Sequence, residues 1–248
     1  MPRVFLPHAL APQAVVRLTG ETGHHYARVL RVRSGETVPV AAAGGAWLCR
    51  VCAVDPRSGE VELVAESLLP ESGPVHKVFL IQALPKGDKM DVIIQKATEI
   101  GVAGVLAFAA AHSVTKLSRD RAGAKVARWQ RIAAEAASQS QRDEVPSVGF
   151  AHDAAEVSAW LAARGVARVW LLDEAEAANH LGRALRQSGP CVAALAVGPE
   201  GGWSAADRAL FVERFSAQPV SLGRRILRTE TAGPVAVALA LYEWGDLA

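Results

Sequence analysis

Three early runs, 36–42, 46–54 and 59–68, are rich in valine and alternate apolar with polar positions. Alternation of period two predicts half-buried strands, and the Gly-, Ser- and Pro-bearing stretches between the runs predict turns. Around residues 23–32 the spacing changes. Tyr26, Val29 and Leu30 recur at helical intervals, which predicts one short helix among the strands. A small β-barrel with a single helix is the natural reading of this segment. Two prolines and a glycine within 69–74 mark a linker, dividing the chain into residues 1–72 and 73–248.

Beyond the linker, short apolar runs at 75–84, 102–111, 145–151, 167–172, 191–198 and 219–223 alternate with helical patterns. Those helices fall near 88–101, 118–141, 153–165, 179–187, 204–215 and 231–244. Asp88 is placed to cap the first and Gly101 to close it, while Ser204 with Asp207 forms a capping box before a later one. Strictly alternating strands and helices imply an α/β domain with a mostly parallel, helix-covered sheet.

Composition narrows the function classes. Half of the 248 residues are hydrophobic, so a sizeable core can form. The net charge of +2 permits a nucleic-acid partner without demanding one, so any basic surface must be local. No apolar run approaches the roughly 20 residues needed to cross a bilayer, and the N-terminus lacks a signal-peptide pattern. Three cysteines fit a reducing compartment, and a cytoplasmic location is expected. Cys49 and Cys52 form a C-x-x-C, but in a strand-like context without a second Cys/His pair. That argues against a redox or metal role.

In open α/β sheets, ligands bind beyond the carboxyl ends of strands, so the strand-end loops are the candidates for chemistry. Asp173 and Glu174 follow one strand and suit either a ribose hydroxyl or plain solvation. "GPEGGWS" (198–204) puts three glycines and a glutamate directly after an apolar strand, where a permissive backbone can approach a ligand closely. "LGRRILRTETA" (222–232) crowds Arg224, Arg225, Arg228 and Glu230 around Ile226 and Leu227. The two apolar residues can wall an adenine, and the arginines suit a polyanionic substrate. Neither a G-x-G-x-x-G fingerprint nor a P-loop is present. Arg121, Lys125 and Arg128 share one helix face, with only Asp120 and Glu135 opposing the wider basic stripe. Such a face is either solvated or an RNA contact. The uncharged Ser138–Gln141 run suggests a polar pocket wall.

With these pieces together, the sequence resembles the ribosomal RNA small subunit methyltransferase E family of the SPOUT superfamily. The resemblance is carried in family order by "HHYARVLR" (24–31), "KGDKMDVIIQKATEIGV" (86–102), "AHSVTKL" (111–117), "EAASQSQRDEVP" (135–146), "VGPEGGWS" (197–204) and "LGRRILRTETA". One departure is "SQSQR" (138–142), where relatives often carry "EQSGR". The resemblance implies an N-terminal PUA-like β-barrel that binds RNA and a SPOUT domain with a trefoil knot. It also implies a homodimer that uses S-adenosyl-L-methionine to methylate N3 of one uridine in 16S ribosomal RNA of the small subunit. No metal is implied, because a sulfonium is already an activated electrophile. Carried over, the cofactor residues are Leu172, Gly198, Glu200, Gly201, Leu222, Gly223, Ile226, Leu227 and Thr231. The catalytic pair is Arg228 and Glu230. The RNA-facing set is His25, Arg28, Arg31, Lys86, Lys116, Arg121, Arg142 and Arg225. The competing classes are a non-catalytic RNA-binding or ribosome-assembly protein and a SPOUT methyltransferase acting on another nucleotide. The first leaves the glycine loops unexplained.

Overall fold

A computed structural model describes residues 1–71, 73–115 and 117–247. The chain forms two compact units, Met1–Gly73 with Ala137–Val145, and Pro74–Ala136 with Pro146–Ala248. Residues 137–145, which a linear division puts in the second part, group with the first unit.

The first unit carries β1 (Val4–Phe5), β2 (Val15–Leu18), α1 (Gly20–His24), a π-helical turn (His25–Val29), β3 (Thr37–Ala42), β4 (Gly45–Asp55) and β5 (Glu60–Leu68). Its sheet order is β1-β3-β4-β5-β2, antiparallel except for β1 beside β3. Register shifts in β4 bend the sheet. Among the described residues no ladder joins β1 to β2, so in place of the expected closed barrel there is an open, five-stranded half-barrel. The two edge strands left little trace in the sequence, being two and four residues long. Val38, Val40, Val51 and Leu63 fill the concave core, and Cys49 is buried with them. Burial pushes the Cys49 thiol up to about 11, leaving it protonated and inert. The Ser138–Gln141 run, read as a polar pocket wall, bonds to the N-terminal segment. Ser138 Oγ donates to the Arg3 carbonyl at 2.7 Å, and Arg3 N donates to the Ser138 carbonyl at 3.0 Å. Gln141 adopts φ +61°, and its amide donates to the Met1 carbonyl.

The second unit is a doubly covered parallel sheet. Its elements are β6 (Val78–Ala83), α2 (Lys89–Ile100), β7 (Gly104–Phe108), α3 (Arg119–Gln139), β8 (Ser147–Ala151) and α4 (Ala154–Ala163). They continue with β9 (Arg168–Leu172), α5 (Leu181–Ser188), β10 (Ala193–Val197), α6 (Ala205–Phe215), β11 (Gln218–Val220) and α7 (Thr229–Glu243). The order is β11-β9-β10-β6-β7-β8, all parallel. Strands covered on both faces are uniformly apolar, and β7 and β10 are buried at every position. β10 lies between β6 and β9, both earlier in the chain. Among the described residues no helix is long and apolar enough to cross a membrane.

One detail of α2 differs from the pattern reading and one agrees. The Asp88 side chain makes no capping hydrogen bond; its carbonyl accepts from Asp91 N at 3.0 Å instead. Gly101 does end the helix, at φ +122°, and a Cβ there would lie 2.8 Å from Pro74 Cγ and 3.1 Å from Leu241 Cδ1. Gly101→Ala is therefore expected to cost about 1–3 kcal/mol of stability, read as a lower midpoint in thermal denaturation. An unchanged midpoint would mean that the turn relaxes freely.

Candidate active site

The row Val220–Leu172–Val197–Gln82 runs level across β11, β9, β10 and β6. Because the strands are parallel, the loops after β9, β10 and β11 leave from one edge and enclose a cavity of about 680 Å³. That is the size range of small-molecule sites. Leu172, Val197, Leu222 and Leu227 give it an apolar lining, and Ile226 stands 81% exposed on its margin.

The glycine loop is held from three sides. Gly202 turns at φ +68°, with its N–H donating to the Pro199 carbonyl at 3.0 Å. Trp203 Nε1 donates to the Leu172 carbonyl at 2.9 Å, and its ring packs tightly on Gly198, where a Cβ would lie 3.3 Å from Nε1. Ser204 caps α6, accepting from Asp207 N at 3.0 Å, while the Asp207 carboxylate accepts from Ser204 Oγ and from Ala111 N. The arginine loop turns at Gly223, φ +107°, and runs into α7 at Thr229, so Glu230 and Thr231 belong to the first turn of that helix.

Charge is concentrated where these loops meet. Lys89 Nζ lies 2.9 Å from Glu200 Oε1 and 3.3 Å from Glu230 Oε2, and Arg228 lies 4.0 Å from Glu230 Oε1. Burial would raise the Glu200 carboxyl, but hydrogen bonds from Lys89 and from backbone amides hold it below the usual carboxylate range. Its hydrogen bond to Glu200 in turn raises the Lys89 ammonium. Among the described residues Arg224 and Arg225 have no ion-pair partner, and Arg228 is 84% exposed.

The comparisons with known proteins agree with this geometry. A family model for the RNA methyltransferase domain matches residues 71–241. The ribosomal RNA small subunit methyltransferase E of Bacillus subtilis is 34% identical over 241 residues, covering 91% of this chain and 89% of the relative. The chain belongs to the ribosomal RNA small subunit methyltransferase E family. The Mycobacterium tuberculosis member is also 34% identical, over 90% of this chain and 85% of its own. The crystal structure of the Neisseria gonorrhoeae member, bound to S-adenosyl methionine, superposes with a TM-score of 0.85 at 28% identity over 100% of both chains.

Of the family residues carried over, Leu172, Gly198, Glu200, Leu222, Gly223, Ile226 and Leu227 line the cavity, as do Arg225 and Arg228. Gly201 does not; it packs on His112, whose Nδ1 lies 3.1 Å from the Gly201 carbonyl. Thr231 is exposed outside the cavity, whereas its neighbour Thr229 is buried and lines it. Glu230 stands behind Lys89 rather than on the wall. Lys86 is exposed, and its backbone N–H donates to Glu200 Oε1 at 3.1 Å.

The other RNA candidates are dispersed. In the first unit, His25 is exposed, and Arg28 donates to the Pro56 and Arg57 carbonyls at 2.8 Å each. Arg31 sits at φ +53°. Arg142 is half-buried beside Asp143 and Glu144, and burial lowers its guanidinium to about 10. Lys116 lies outside the described residues. Arg121 is exposed on α3, but more carboxylates face the basic stripe than its own helix supplies. Arg128 pairs with Asp91, and Arg119 with Asp153 and Glu156.

The site reading gave no role to Lys89, Trp203 or Thr229, although each stands inside a quoted motif, and passed over Gln82, whose signal is to be the one polar side chain in the strand "VFLIQA". Asp173 and Glu174, the two carboxylates considered for a ribose, both line the cavity; Asp173 is buried there and paired with Arg208.

Proposed function

We propose that this chain transfers a methyl group from S-adenosylmethionine to a base of small-subunit ribosomal RNA, at N3 of one uridine. The observation that carries the reading is the cavity at the level ends of β9, β10 and β11. It combines an apolar wall, a close-approach glycine backbone and a rim that carries Arg224 and Arg225, which have no ion-pair partner among the described residues. The cavity is large enough for an adenosine with an amino-acid tail. Leu172, Leu222 and Leu227 offer apolar surface to the adenine, with Ile226 ready to cover it. Gly198, Leu222 and Gly223 offer backbone groups, and Glu174 suits the ribose. The bound cofactor supplies a methyl group already activated on a sulfonium.

The chain's own groups complete the chemistry. A uracil N3 must lose its proton to become a nucleophile. Arg228, exposed at the start of α7, stabilises charge developing on the adjacent uracil oxygens. In this reading Glu230, flanked by Arg228 and Lys89, receives the proton directly or through water. Arg224 and Arg225 meet the phosphate backbone.

The same reading extends to the architecture. Residues 73–248 form a SPOUT domain with a trefoil knot, a reading supported by the insertion of β10 between two earlier strands. Residues 1–72 form a PUA-like domain that holds RNA, with His25, Arg28 and Arg31 on its helical segment. The enzyme works as a cytoplasmic homodimer. The exposed Leu239 and Tyr242, one turn apart on α7, support a second copy docking there.

Calorimetry with S-adenosylhomocysteine is expected to show one site per chain. No binding would point instead to an RNA-binding protein without catalysis. Mass spectrometry of 16S ribosomal RNA from a deletion strain is expected to show one missing 3-methyluridine, restored by complementation. Loss of a mark elsewhere would reassign the target.

A further inference from the structure

Gln82 is fully buried at the end of β6, yet it does not line the cavity. Its Nε2 lies 3.1 Å from the Ala83 carbonyl and 2.9 Å from Thr229 Oγ1. A carbonyl only accepts, so the amide nitrogen must face this way and donate. Thr229 Oγ1 then accepts from Gln82, and its single hydrogen goes to the Gly198 carbonyl at 2.7 Å. The hydroxyl has one orientation, and three segments are tied in series: β6, the first residue of α7 and the first residue of the glycine loop. Gly233 permits the approach, because a Cβ there would lie 3.2 Å from both Gln82 Oε1 and Leu80 Cδ2.

This arrangement carries a stability cost. Gln82 Oε1 is buried without a partner among the described residues. A buried polar group left half satisfied destabilises a core that an apolar side chain would fill at no such penalty. The return is positional. Thr229 directly follows Arg228 and caps nothing itself; its hydroxyl is committed to Gly198. We propose that Gln82 and Thr229 are positioning residues, a relay that fixes the Gly198 carbonyl in the cofactor cavity and the backbone from which Arg228 projects. The proposal rests on the cofactor reading of the cavity. It adds the device that keeps the two motif loops in mutual register.

Gln82→Met and Thr229→Val each remove one link, and the double variant replaces the pair by apolar groups. In the ligand-free protein, amide hydrogen exchange over residues 198–203 and 226–231 is expected to quicken by about tenfold in all three. The dissociation constant for S-adenosylhomocysteine rises by a similar factor, and kcat/KM on RNA falls. Thr229→Ser, which keeps the hydroxyl, recovers most of what Thr229→Val loses. The double variant melts within about 4 °C of the parent, so its losses cannot be ascribed to unfolding. The relay is overturned if exchange and affinity in the double variant match the parent, or if every loss scales with the unfolded fraction. A parent that fails to bind S-adenosylhomocysteine overturns the functional reading instead, and the exchange rates still decide whether the relay holds the loops.

Discussion

Arg228→Ala is expected to lower the rate of methyl transfer by about 10²–10³-fold while leaving the affinity for S-adenosylhomocysteine nearly unchanged. The separation follows from where the residue stands. Its side chain is 84% exposed, with one distant carboxylate for company, Glu230 at 4.0 Å. A guanidinium so placed is not holding the fold together, since exposed ion pairs contribute little to stability. It is free to meet a charge that arrives with the RNA. In the proposed reaction the uracil oxygens gain negative charge as N3 loses its proton, and a fixed cation helps that state more than the neutral ground state. Arg228→Lys keeps the charge but loses the planar fork, so an intermediate rate is expected. Single-turnover transfer to RNA with saturating cofactor reads the first effect, and calorimetry the second. Undiminished turnover in the alanine variant would remove Arg228 from the mechanism.

Phe211→Ala is expected to be the most damaging core substitution next to the site, costing about 3–5 kcal/mol. For a chain of this size that is roughly a 10 °C fall in melting temperature. Phe211 is wholly buried on α6, with ring centroids 5.7 Å from Phe108, 5.0 Å from Trp203 and 5.1 Å from Phe215. Alanine leaves a void amid three other aromatic rings, and a wall of that stiffness collapses poorly into it. The effect reaches the cavity. Trp203 rests on Phe211, hydrogen-bonds the Leu172 carbonyl and fills the space beside Gly198. Cofactor affinity is therefore expected to fall even at temperatures where the variant stays folded. Phe211→Leu, which retains most of the volume, tests this. A small loss in the leucine variant with a large one in the alanine variant assigns the effect to the void; equal losses would assign it to ring geometry.

The fold of the second unit was legible because its physics is local. A strand buried on both faces must be apolar throughout, and a covering helix with one wet face repeats near 3.6, so the strands showed as apolar runs and the amphipathic helices as repeats between them. The half-barrel was less so. Two edge strands of two and four residues are too short for a period, and closure depends on ladders the sequence does not record. The site was partly legible for a similar reason. Its glycines and arginines sit in two contiguous loops after strands, where their density stands out. Thr229 and Thr231 are two positions apart in the same motif, and only the helical geometry of α7 turns the first inward and the second outward.

The sequence by itself determined the alternating α/β order, the strand-end position of the site, the two motif loops and the family. Each is written in neighbouring residues. Tertiary structure alone decided what joins them. Lys89 reaches Glu200 and Glu230 across 111 and 141 positions, and Gln82 reaches Thr229 across 147. A single hydrogen bond between residues so far apart imposes no periodicity and no composition. It exists only because parallel strands bring Gln82, Val197, Leu172 and Val220 to one level, and a helix then starts beside them.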